Sequence, residues 1–187
     1  MKNTWATRPL FVCPPLLRKV LGAMAALMLL LLFFSPGIAT VGWHLLHGST
    51  IQTGGRAVYV PLGWIAHTTA SLGVGMEKLP ITLSRGAKFE GIISVDRQHY
   101  PTDQNKEEIY RSWETVFWRV VDDGAVVSAP LRDGSGDTEM YCMEASYPKY
   151  PSQVTVSCLF QNASWSADFR GQKRDLDTFF EIIRRAD

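Results

Sequence analysis

The common catalytic signatures are missing from this chain. No Gly-x-Ser-x-Gly, Cys-x-x-Cys or His-Glu-x-x-His pattern occurs, and no phosphate-binding glycine pattern. The usual marks of serine hydrolases, thiol redox enzymes, zinc proteases and nucleotide binders are therefore absent. Histidine is scarce, with four in 187 residues. His44 and His47 lie three apart and could share one side of a helix, but a metal or haem centre needs more ligands than that pair supplies. His67 and His99 have no acid or cysteine at ligand spacing. Ser146-x-x-Lys149 falls beside Pro148, in a turn, where the helix that this motif requires cannot form. No catalytic, cofactor or metal residue is assigned, and the balance favours a non-enzymatic chain.

Charge is absent over one long stretch. Residues 20–43 read VLGAMAALMLLLLFFSPGIATVGW, without a Lys, Arg, Asp or Glu. About 20 apolar helical residues cross a bilayer core of roughly 30 Å. Lys2, Arg8, Arg18 and Lys19 precede the run with no acid among them. Positive charge beside a membrane helix stays in the cytoplasm. The expected organisation is a cytoplasmic basic tail (1–19), a transmembrane signal-anchor helix (20–46) held by the lipid bilayer, and an extracytoplasmic, periplasm-facing domain (48–187). Trp43 suits the headgroup layer at the far edge. The competing reading is a cleaved signal peptide, cut after Ala39, because Gly37 and Ala39 are small residues behind Pro36. Against it, the apolar stretch resumes after Ala39 and runs to Leu46.

Acidic residues are confined to the part beyond the run. Residues 48–187 hold 15 Lys and Arg against 18 Asp and Glu, a net charge of −3. With no concentrated basic face, nucleic acid is excluded as a partner.

Cysteine is equally sparse, at three. Cys13 lies on the cytoplasmic side. Cys142 and Cys158 fall in the exported part, on the two arms of a hairpin whose turn, at residues 147–152, is marked by Pro148 and Pro151. Centring the reversal on Tyr150 puts Cys142 opposite Cys158, Met140 opposite Phe160 and Tyr141 opposite Leu159. Directly opposed side chains come close enough for a disulfide, and an exported compartment favours one.

The rest of residues 48–187 reads as short strands with two helices. Ile109, Trp113, Val116, Phe117 and Val120 trace one face of a helix over residues 103–121, with Thr102 or Asp103 as its cap. Leu176, Phe179, Phe180 and Ile183 do the same over residues 175–185. Residues 71–78, with two glycines, read as a loop, and 80–84 as a short strand. Strands joined by short turns argue antiparallel pairing. The fold class is α+β, an antiparallel sheet covered by two helices and preceded by one transmembrane helix.

The stretch Gly55-Arg-Ala-Val-Tyr-Val-Pro61-Leu-Gly-Trp64 resembles the opening of PsbP/Mog1-like domains, where a strand ends in a turn of this kind and a second strand comes after it. The resemblance implies a small binding or assembly module without a catalytic site, and carries over no site residue. The overall plan is similar to small single-pass envelope proteins of bacteria. Spare aromatics fit that expectation. Trp118 lies off the helix's main stripe, and Tyr147 and Tyr150 stand at the hairpin tip. All three are candidate contacts for a protein partner in the envelope, since Trp and Tyr are enriched at interface hot spots. The alternative function is an envelope hydrolase or small-ligand carrier, which would need a pocket with convergent polar groups.

Overall fold

The computed structural model describes residues 15–69, 73–82, 90–100, 105–121, 124–133 and 139–185. Cys13 and the cap candidates Thr102 and Asp103 lie outside the described residues.

The apolar run does not form the single helix expected over 20–46. Helix α1 (Pro15–Phe33) ends at Phe34, and α2 (Ser35–His47) sets off at 70° to it. The break arises from Pro36 in the first turn of α2. Proline brings no N–H to the preceding turn, and its ring crowds the carbonyl there. Among the described residues no single helix is long and apolar enough to cross a membrane; Lys19–Phe33 and Ser35–His47 reach that length and composition only taken together, as a pair bent by 70°. Gly48, with φ +76, terminates α2, and its N–H donates to the His44 carbonyl. A left-handed backbone of this kind suits glycine.

Strands β1 (Thr50–Thr53) and β2 (Arg56–Tyr59) form a separate hairpin. The main sheet comes next, with β3 (Trp64–Thr68), β4 (Val74–Lys78) and β5 (Gly91–Arg97) in antiparallel succession. Helix α3 (Lys106–Val120) and two short strands, β6 (Val126–Val127) and β7 (Leu131–Asp133), precede the hairpin of β8 (Met140–Ser146) and β9 (Gln153–Phe160). Strand β10 (Trp165–Gln172) and a 3-10 turn (Lys173–Asp175) lead into α4 (Leu176–Arg184). Spatial order is β3-β4-β5-β10-β9-β8-β6, with β7 also paired to β8, and each pairing is antiparallel. The α+β class and the two covering helices are as the sequence predicts.

The structure corrects two further expectations. The glycine-containing stretch expected as a loop holds β4, because Val74 and Met76 alternate into the core. Among the described residues of the predicted strand at 80–84, Ile81 and Thr82 form a bend instead.

Each sheet face is covered differently. On one, Met76, Ile93, Val95, Val156, Cys158 and Phe169 join Phe179 and Ile182 of α4 and Val58 of β2 in the main core. Gly91 and Gly171 are directly opposed on this face. A Cβ on Gly91 would meet the Trp64 ring at 3.1 Å, and one on Gly171 the Phe169 ring at 2.9 Å. The glycine pair therefore leaves the space these aromatic rings occupy. On the other face, α3 lies over Tyr141, Met143, Ala145 and Leu159, with Val127 of β6 packed beside them. The face that α3 buries carries Ile109, Tyr110 and Phe117, while Val116 and Val120 are exposed. The helix is thus turned towards Tyr110, relative to the stripe the sequence suggests, because the Tyr110 ring stacks on Tyr141 at 4.3 Å between centroids.

Candidate interaction surfaces

The hairpin register places Cys142 opposite Cys158, and the two are joined in a disulfide with their Cα atoms 4.1 Å apart. That spacing is close to the roughly 4.5 Å of a non-hydrogen-bonded antiparallel pair. At the hairpin turn the Tyr150 N–H donates to the Tyr147 carbonyl at 2.9 Å. The Tyr150 ring is exposed. Tyr147 is half-buried, and its hydroxyl lies 2.9 Å from that of Thr155. Trp118 is exposed on α3. The structure thus puts the two tyrosines on one turn and Trp118 on a different element.

A cation–aromatic cluster was not legible as a site. Arg132 of β7 sits over the Tyr110 ring at 4.9 Å and the Tyr141 ring at 5.2 Å. Its guanidinium donates to both carboxylate oxygens of Glu107 at 2.9 Å. Lys106 pairs with Glu139, and Tyr141 donates its hydroxyl to Glu114. The hydrogen bond from Lys106 holds the Glu139 carboxyl below its usual range, and the same bond raises the Lys106 ammonium. Burial, and then the Glu114 carboxylate, push the Tyr141 phenol well up. Arg132 and Lys106 each hold an opposite charge within the cluster, and Glu114 accepts from Tyr141, so the cluster fastens α3 and β7 to β8.

The half of that face beyond α3 mixes polar residues with Ile65 and Ile92. One row of directly opposed residues crosses it, from His67 through Gly75, Ser94 and Asp168 to Ser157. His67 leans across Gly75, where an added Cβ would lie 2.6 Å from Nε2. Ser157 donates its hydroxyl to Asp168. The Asp168 residue is reached by solvent, yet the surrounding protein strips enough water from its carboxyl to raise its pKa, with the Asp96 charge adding to the shift and the Ser157 hydrogen bond opposing it. Among the described residues, no hydrogen bond joins His67 to a serine hydroxyl, which an activated nucleophile would need, and no group of three potential ligands could hold a metal ion.

Helix α2 docks on the domain along one side. Thr40 is buried, and Trp43 packs against the main core. Gly37 lies so near the Ile81 carbonyl that a Cβ would be 3.1 Å from the oxygen. His44 sets Nε2 3.0 Å from the Pro61 carbonyl oxygen and Nδ1 2.9 Å from that of Gly48. The pair His44 and His47 is thereby used locally, since Nδ1 of His47 lies 3.0 Å from the Trp43 carbonyl oxygen.

No family model and no curated protein matches the chain. Among solved structures, it is similar to the solution structure of cyanobacterial PsbP (CyanoP) from Synechocystis sp. PCC 6803. Identity is 12% and the TM-score 0.47, over 70% of this chain and 85% of that one. The chain resembles a PsbP domain, as the stretch at 55–64 suggests.

Proposed function

We propose that this chain is a non-enzymatic, membrane-anchored protein whose α+β domain stands outside the cytoplasm and binds a protein partner. The observation that carries the reading is α1, whose apolar side chains, among them Leu21, Met24, Leu27, Met28 and Leu31, are exposed around the helix. A helix that is apolar all round belongs inside a protein or a bilayer, and no described part of the fold buries this one. Lys2, Arg8, Arg18 and Lys19 precede the uncharged run and no Lys or Arg follows it until Arg56, which supports a cytoplasmic amino end. Exposed Trp118 and Tyr150 supply the aromatic contacts that interfaces favour. Crosslinking in intact cells, followed by mass spectrometry, tests the partner. A specific crosslinked protein is expected, lost in a Trp118→Ala, Tyr150→Ala double variant. Recovery of an unpartnered monomer alone defeats the reading.

A second reading, a small-ligand carrier, would use the polar row from His67 to Ser157, where no hydrogen bond among the described residues activates a serine for a hydrolase.

A further inference from the structure

The bend at Phe34 leaves α2 with two unlike sides. One is covered by the domain. The other carries Ile38, Ala39, Val41, Leu45 and Leu46, all exposed, with no polar side chain among them. Leu45 and Leu46 are 82% and 83% exposed. An amphipathic helix on a soluble protein turns its apolar side inward and its polar side to water. Here the domain takes the side bearing Thr40 and His44, and the wholly apolar side is left outward.

Two loops of the domain add to the same region. Gly37 and His44 are seven residues apart and so lie on one side of the helix. Gly37 meets Ile81, and His44 meets Pro61. The side chains of Ile81 and of Leu62, next to Pro61, are 74% and 77% exposed. Each loop thus meets the covered side of α2 next to Val41, which begins the outer side, and each brings a large exposed apolar residue to that border, a concentration that marks a contact surface.

We propose that this surface rests in the lipid bilayer: α2 lies along the extracytoplasmic face of the membrane with its outer side among the acyl chains, and Leu62 and Ile81 dip into the same layer. The inference rests on the anchor reading of α1 and specifies how the domain sits on the membrane. Length supports it. Lys19–Phe33 rises about 22 Å at 1.5 Å per residue. The 13 residues of α2, at 70° to it, advance about 7 Å further along the same direction. Together they match a hydrocarbon core of roughly 30 Å. An interfacial helix buries its apolar side only about 5–10 Å deep, which is the depth available to a helix whose other side holds a folded domain. The bilayer continues from α1 to α2 without a gap, whereas a second copy of the chain would have to leave α1 separately covered.

Site-directed fluorescence on the full chain, with Cys13→Ser and single cysteines introduced by Leu27→Cys, Leu45→Cys, Leu62→Cys, Ile81→Cys or Ile92→Cys, tests this. These five positions are exposed, so a label does not disturb the core. The protein is placed in phosphatidylethanolamine–phosphatidylglycerol vesicles whose acyl chains are brominated near the glycerol end. Labels at 45, 62 and 81 should lose most of their emission. The label at 92, on the sheet face away from α2, should keep it. Quenching at 27 with none at 62 and 81 overturns the inference and leaves the anchor standing. Emission preserved at 27 as well overturns both. A label at 45 that is shielded from lipid by a second copy also overturns the inference.

Discussion

Gly171 shows how a single hydrogen atom can be required in a sheet. A Cβ there would collide with the buried Phe169 ring and approach the Gly91 Cα at 3.0 Å, and neither can retreat. Gly171→Ala should therefore destabilise by about 1–3 kcal/mol, the cost of overpacking, as read from the urea midpoint. Its role is not legible in the sequence: Phe169 stands two residues before it on the same face of β10, but only the packing of the core lays that ring over Gly171. Asp168 gives a pH prediction. Its folded-state pKa is raised above the unfolded value, so the folded chain holds this proton more tightly. The contribution to stability is full below the unfolded pKa and is lost as pH rises through the folded one. Asp168→Asn should remove that slope and leave the protein at least as stable at neutral pH. Unfolding curves for both proteins from acid to neutral pH check it, and a variant less stable at neutral pH contradicts it.

At the scale of elements, the hairpin was the most legible part. Two prolines marked its turn, and counting outward from them set the register, so the disulfide could be placed. With both cysteines replaced by serine, the loss should be around 3 kcal/mol for a loop of this size, again read from urea unfolding. Helix α3 was legible as a helix but not in its rotation, because the stacking of Tyr110 on Tyr141 depends on a strand distant in sequence. Strand β4 was hidden by Gly73 and Gly75, whose small size serves crowded neighbours, Asp96 and His67. Its end is tied to the start of α4 by Lys78, whose Nζ lies 2.6 Å from Asp175, a buried acid. Lys78→Met would leave that carboxylate without its cation. A loss of about 1–3 kcal/mol is expected, as for a partly buried, charge-assisted hydrogen bond removed from an acid, with Lys78→Arg recovering part of it.

Across the whole molecule, the sequence revealed the apolar run, its flanking charges and the α+β order of residues 48–187. It did not reveal the bend, since a proline near a helix start and one inside a helix look alike until the packing of α2 decides between them. The orientation predicts that alkaline phosphatase fused after Asp187 is active in intact bacterial cells, while a fusion within residues 1–19 is silent. Activity only from the amino-terminal fusion would reverse the topology. Strand β10, the last strand in sequence, lies at the centre of the sheet, between β5 and β9. Until it emerges, β3–β5 and the β8–β9 hairpin remain two sheets with facing edges unsatisfied. The sheet therefore stays open until β10 is delivered, a condition compatible with threading through a narrow translocation pore, and closes when that strand fills the gap.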